Sequence, residues 1–205
     1  MQPAILIPST LDEETARAEI YGLLAALFYS APTPELLDNL RAAVTQAPAA
    51  GALLEASWGD VVAAARAMSA AEVAEEYDAL FGGVGRPAVH LYGSHYMSGF
   101  LNEKSLAALR GDLATLGLDR DDNMSETEDH FAYVCEVMRY LIAGEDVEVA
   151  NLTRQREFFT RHVQPWALPM CEAISAHPKA VFCKNLANFT QTFIGVESQG
   201  FDMLT

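Results

Sequence analysis

Residues 124–138 read MSETEDHFAYVCEVM, and this stretch decides the fold class. Its second half carries apolar residues at the spacing of one helix face. These residues are Phe131, Val134, Cys135 and Met138. Ser125-x-x-Glu128, just before them, has the form of a capping box, a reciprocal hydrogen-bonding pattern that opens many helices. The stretch therefore predicts an amphipathic helix that begins near Ser125.

Similar helix signals recur along the whole chain. Helix starts are predicted at Thr10-x-x-Glu13, Thr33-Pro34, Ser69-x-x-Glu72 and Asn102, and Gly117 can close a helix in the left-handed conformation. Other helices are predicted around Trp58, from about Val147 to His162, from Pro165 to Ser175 and from about Pro178 to Ser198. No segment alternates as a strand would. The sequence predicts an all-α protein of about nine to eleven helices, forming a single domain over residues 1–205.

The amino-acid composition excludes some classes of binding partner. The chain has 205 residues, of which 51% are hydrophobic, and a formal net charge of −15. Such a charge repels nucleic acids and anionic lipids and favours cationic ligands. Its three cysteines fit no disulfide framework, no export signal is visible, and the apolar run Ile20–Ala31 is too short to span a bilayer. We predict a soluble cytoplasmic protein that does not insert stably into membranes.

The opening stretch also concentrates chemistry-bearing side chains, namely Glu126, Glu128, Asp129 and His130. A metal site, an acid–base centre and a docking point for a cationic partner all use these residue types. In the first turn of a helix, the helix dipole favours carboxylates by about 0.3–1 kcal/mol each. Helix placement accounts for the acids in this way, but it does not account for His130.

Patterns typical of enzymes are weak in this chain. Glu126 and His130 lack the Glu-x-x-His spacing of di-iron bundles, and no His-Glu-x-x-His is present. The run Gly83–Ala88 has the letters of a dinucleotide fingerprint but follows a helix instead of a strand. We therefore predict no cofactor. A small metal- or nucleotide-dependent enzyme and a general helical interaction scaffold remain alternatives.

Three motifs in order resemble a known family: EYDALF at 76–81, LYGSHY at 91–96 and ETEDH at 126–130. Together they are similar to the TorD/DmsD/NarJ family of redox-enzyme maturation chaperones. The resemblance implies an all-α cytoplasmic protein that is not an enzyme. Its partner would be the precursor of a molybdenum-containing oxidoreductase, bound at its twin-arginine signal peptide, at the apo-enzyme or at both. Export would be delayed until the cofactor is inserted.

The resemblance also assigns the client-binding residues. The family's aromatic and apolar patch corresponds to Tyr77, Leu80 and Phe81, and its loop motif corresponds to Tyr92 and Ser94. Its hinge motif, Glu-Pro-x-Asp-His, corresponds to Glu126, Asp129 and His130. Glu128, within the same motif, adds negative charge. Thr127 stands where the family usually has proline. Leu91 replaces a second proline, which usually precedes the tyrosine of the loop motif.

Two finer properties follow from the resemblance. The run SGFLNEK at 98–104 is similar to members associated with formate dehydrogenase, which makes that enzyme a candidate client. A hinge is expected near residues 118–130, where family members can exchange halves to form a homodimer. The sequence leaves monomer and dimer both open.

Overall fold

The computed structural model describes residues 13–45, 52–82, 86–99, 104–120 and 125–203. Within these ranges the chain forms ten α-helices and no β-strand, which confirms the all-α prediction and the predicted helix number. The helices are α1 Glu13–Tyr29, α2 Pro34–Ala42, α3 Glu55–Ala67, α4 Ala70–Phe81, α5 Gly93–Ser98, α6 Lys104–Thr115, α7 Phe131–Ala143, α8 Leu152–His162, α9 Gln164–Ala176 and α10 Phe182–Asp202. None of the helices in the described ranges has the length and apolarity needed to cross a membrane.

Several local signals place helix ends correctly. Thr33 caps α2 by accepting the N–H of Leu36, and Ser69 and Glu72 form a complete capping box on α4. Gly117 adopts the left-handed conformation (φ 71°) after α6. The predicted signals at Thr10, Asn102 and Gly83–Gly85 lie outside the described residues.

The predicted start of α7 is wrong. The helix begins at Phe131 with His130 as its N-cap, so Ser125 and Glu128 form no capping box, and the acids are not in the first turn. The cause is a long-range backbone pairing, in which the N–H of Phe131 donates to Leu91 O and that of Gly93 donates to Asp129 O. This pairing holds His130 extended, after a turn at residues 128–129, and overrides the local helix signal.

Two later helices also begin after their predicted starts. α8 starts at Leu152, because residues 146–151 form a turn in which Asp146 accepts backbone N–H groups, and Asn151 then caps the helix. α10 starts at Phe182, where its first N–H groups meet the carboxylate of Glu76. These contacts come from side chains whose positions a local pattern does not reveal.

The chain divides into two compact units and passes between them at residues 29–30, at residues 89–90 and within α9, at residues 170–171. The first unit holds the described residues of 30–89 and 171–205. In it, α10 packs on α3 and α4, and α2 packs on α3. Its buried side chains include Leu37, Leu40, Val61, Val62, Leu80, Phe182, Leu186 and Phe193.

The second unit holds the described residues of 12–29 and 90–170. Here α1 runs along α7, α7 contacts α8, and α5 contacts α6. Its buried side chains include Tyr21, Leu24, Phe28, Phe131, Met138, Phe159 and Trp166. The prediction of a single domain over residues 1–205 stays a prediction.

Candidate functional site

Six of the predicted site residues lie together in the second unit. The antiparallel bridge between Tyr92 and His130 brings the loop before α5 beside the loop before α7. Tyr92 and Ser94 come from the first loop and the start of α5, while Glu126, Glu128, Asp129 and His130 come from the second. Each of the four second-loop side chains has a different role.

Asp129 holds the two loops together. Its Oδ2 accepts the backbone N–H of Ser94 at 2.9 Å, and its Oδ1 accepts the hydroxyl of Thr127 at 2.6 Å. The side chain is buried, as is that of Ser94. With both oxygens occupied, Asp129 fixes the start of α5 and does not present a free carboxylate.

Glu128 forms a bidentate ion pair with Arg110 of α6, with both N–O distances 2.9 Å. Arg110 is half exposed, whereas the Glu128 side chain is 9% exposed. Burial acts to raise the pKa of Glu128, but the hydrogen bonds and charge of Arg110 outweigh it and lower that pKa. Glu128 is therefore a structural carboxylate that anchors its loop to α6.

Replacing Arg110 by Gln is expected to lower the free energy of unfolding at pH 7 by about 1–2 kcal/mol, because the buried carboxylate of Glu128 loses its partner. The effect is not larger because Arg110 is half exposed and water screens part of the interaction. The folded-state pKa of Glu128 is below its usual value of 4.5, so the pair stabilises the fold above that pH. Its contribution is lost as the pH falls through the folded-state pKa. Urea unfolding at several pH values should show the difference from the parent protein shrinking below about pH 4.5.

Arg139→Gln is the matched control, because Arg139 and its partner Glu136 are both about half exposed on one helix. We expect a change within about 0.5 kcal/mol for this surface pair. Equal losses from the two arginine variants would contradict the structural role of Glu128.

Of the three carboxylates Glu126, Glu128 and Asp129, Glu126 is the one that stays partly exposed. It accepts the hydroxyl hydrogen bond of Tyr92, which is also partly exposed. Burial, followed by the hydrogen bond and charge of Glu126, raises the pKa of Tyr92, so this tyrosine remains a donor at neutral pH. The Glu126 carboxylate has further acceptor sites that a cationic ligand could use.

His130 caps α7 with its side chain, since Nδ1 accepts the N–H of Ala132 at 3.3 Å. Histidine is an unusual N-cap, where Ser, Thr, Asp or Asn is preferred. Burial lowers the pKa of His130 to about 4, against the opposite pull of Glu126 and Asp129. His130 is therefore neutral at physiological pH.

Three tyrosines surround the His130 ring, and we call Tyr29, Tyr92 and Tyr133 the tyrosine cluster. Their ring centroids lie 6.5, 5.1 and 5.9 Å from that of His130. Tyr29 is 47% exposed and the other two are partly exposed. Sequence reasoning missed Tyr29 and Tyr133, because Tyr29 ends a distant helix and Tyr133 looked like part of an ordinary helix face.

The other three predicted site residues belong to α4 of the first unit. Tyr77 and Phe81 are partly exposed, with ring centroids 4.9 Å apart. Leu80 is fully buried and supports the helix from within. Of these three residues, Tyr77 and Phe81 are therefore the two that a ligand could contact directly.

The described residues form an all-α protein in which partly exposed tyrosine rings lie beside the carboxylate of Glu126. Residues 31–172 match the family model described as nitrate reductase delta subunit. The chain belongs to this family, the NarJ/TorD-type chaperones, as the sequence motifs predicted. The family serves the maturation of molybdoenzymes and is a chaperone family, not a catalytic one. No curated protein matches the chain.

Proposed function

We propose that this protein is a cytoplasmic chaperone that binds the twin-arginine signal peptide of a molybdoenzyme precursor and assists cofactor insertion before export. The apo-enzyme itself is a second contact in this proposal, and formate dehydrogenase is the candidate client. Family membership supports the general role. The finer role depends on the chemistry of the second-unit site.

The observation that carries the proposal is the partly exposed carboxylate of Glu126 beside the tyrosine cluster. A guanidinium group is planar, permanently charged and able to stack on aromatic faces while it donates hydrogen bonds to a carboxylate. Glu126 supplies the acceptor, and the rings of Tyr29, Tyr92 and Tyr133 supply the faces. A signal peptide with two adjacent arginines fits this combination.

The remaining predicted residues divide into supporting and contacting roles. Asp129, Glu128 and Ser94 keep the two loops in place through the contacts described above. Tyr77 and Phe81, on α4 of the first unit, are proposed to add apolar contact with the client. Affinity would come mainly from the apolar contacts, whereas the acid would set selectivity and association rate.

Glu126→Gln should weaken binding of a synthetic twin-arginine signal peptide by roughly tenfold, the size expected for loss of a charge-assisted hydrogen bond. The variant should also reduce the dependence of affinity on salt, because one attractive charge is removed. Calorimetric titration at low and at moderate salt measures both effects.

Glu145→Gln is the matched control, since it removes the same charge from an exposed position in the loop after α7. We expect its affinity to stay within about twofold of the parent protein. Equal weakening by both variants would assign the effect to net charge alone. Failure of the parent protein to bind the signal peptide of its client at low salt would overturn the proposed function.

A further inference from the structure

A small cleft lies between α6 and α8 in the second unit, and none of the predicted site residues lines it. Its apolar lining comes from the buried side chains of Leu116 and Phe158. Charged groups line the rest, including Asp112, Arg154 and Arg161. The cleft measures about 80 Å³, whereas pockets for drug-sized ligands and cofactors measure about 300–1,000 Å³. A ligand enclosed here must therefore be compact.

The carboxylate of Asp112 is already engaged within the protein. Its Oδ2 accepts the Nε2–H of His162 at 2.6 Å and pairs with Nη1 of Arg161 at 2.9 Å, and its Oδ1 accepts the same Nη1 at 3.1 Å. Burial lowers the pKa of His162, against the opposite pull of Asp112, so this imidazole is neutral at physiological pH. Asp112 is therefore neutralised by Arg161 and attracts a ligand cation only weakly.

The two arginines of the cleft have hydrogen-bond donors to spare. Arg154 donates from Nη1 to Glu157 at 3.3 Å, and Arg161 donates from Nη1 to Asp112. Within the described residues each guanidinium is engaged through Nη1 alone, although it carries five N–H donors. The two side chains are 42% and 62% exposed, so a ligand can reach them. The cleft therefore suits a ligand that accepts hydrogen bonds.

The charge of α8 favours an anionic ligand of low charge. The helix carries three arginines and one glutamate, in a chain whose net charge is −15. The local arginines attract an anion, whereas the overall field repels a divalent anion more than a monovalent one. The apolar lining gains free energy only from a ligand that also buries an apolar group.

We infer that the cleft between α6 and α8 binds a compact carboxylate that carries a branched apolar group. The carboxylate accepts hydrogen bonds from Arg154 and Arg161, and the apolar group packs on Leu116 and Phe158. A free short-chain organic acid and the last residue of a peptide chain both present this chemistry. The inference is independent of the proposed function.

Isovalerate is the probe for this site. In NMR titrations, the Nε–H signal of Arg154, assigned by its loss in Arg154→Gln, should shift and saturate with a Kd of roughly 0.1–10 mM, as expected for so small a ligand. Isovaleramide, which lacks the charge, and inorganic phosphate, which lacks the apolar group, should bind at least about fivefold more weakly. No saturation below about 50 mM, or equal binding of either comparison compound, would overturn the inference.

Substitutions on α8 test the assigned contacts. Arg154→Gln should weaken isovalerate binding roughly tenfold, because a charge-assisted hydrogen bond is lost. Arg156→Gln is the matched control, since it removes the same charge from the same helix outside the cleft, and it should stay within about twofold of the parent protein. Glu157→Gln should strengthen binding about threefold, because it removes a competing acceptor and a like charge. Equal weakening by the two arginine variants would assign the effect to net charge and contradict the site.

A short peptide that ends in valine distinguishes the two sources of the carboxylate. Binding at least as tight as that of isovalerate, lost in the amidated peptide and in Arg154→Gln, would assign the site to a protein carboxyl terminus. Binding of isovalerate but of neither peptide would assign it to a free organic acid. Equal binding of the free and the amidated peptide would contradict recognition of a carboxylate.

Discussion

Replacing Glu76 by Ala is expected to lower the free energy of unfolding by about 3–5 kcal/mol, the largest effect we predict for a single side chain. The buried carboxylate of Glu76 accepts three consecutive backbone N–H groups at the start of α10, at 2.9, 3.0 and 2.7 Å. Those donors belong to Val181, Phe182 and Cys183. Alanine would leave all three without an acceptor, two of them on buried residues.

Glu75→Ala is the matched control, because Glu75 is the exposed neighbour on the same helix. Thermal unfolding followed by circular dichroism should show a change within about 0.5 kcal/mol for Glu75→Ala. Glu76→Gln, which keeps one acceptor oxygen but loses the charge, should fall between the two. A Glu76→Ala protein within about 1 kcal/mol of the control would contradict the capping role.

Gly93→Ala is expected to cost about 1–3 kcal/mol and to disturb the second-unit site. A Cβ atom at Gly93 would lie 2.8 Å from Nε1 and 2.9 Å from Cε2 of Trp166. That indole is buried, donates to His162 O at 2.6 Å and lies against the rings of Tyr96 and Phe131. Because these contacts hold the Trp166 ring in place, the added methyl group must displace the start of α5.

The Trp166→Phe background tests this explanation, because the smaller ring removes the atoms that a new Cβ would meet. In urea unfolding, Gly93→Ala should cost at least about 1 kcal/mol less in that background than in the parent protein. Gly111→Ala provides a control within α6, where nothing lies within 4 Å of the added carbon and the change should stabilise by about 0.5–1 kcal/mol. Additive effects of Gly93→Ala and Trp166→Phe would rule out steric contact as the cause.

Local sequence patterns predicted the helices well but not all of their ends. The apolar spacing after Phe131 indicated α7 because such a face must be buried whatever surrounds it. The start of α7 was misplaced because it depends on Leu91 and Gly93, which pair with its first residues from far away in the chain. The start of α10 depends in the same way on Glu76.

The sequence predicted which residues form the site better than it predicted what each of them does. The motif containing Glu126, Asp129 and His130 marked the correct loop. However, Arg110 pairs with Glu128, and the backbone N–H of Ser94 donates to Asp129. No spacing pattern in the sequence predicts either contact. Tyr29 joins the site only because α1 packs along α7. The sequence also did not predict that His130 caps α7, since histidine is not a preferred residue at a helix N-cap.

The order of the units along the chain has a consequence for synthesis. α1 leaves the ribosome first, yet its packing partner α7 begins at Phe131, after α2, α3 and α4 have emerged. In the same way, α3 and α4 pack on α10, which begins only at Phe182. Each unit therefore joins helices that are far apart in the chain, and neither can bury its apolar faces until the later helix of each pair has been translated.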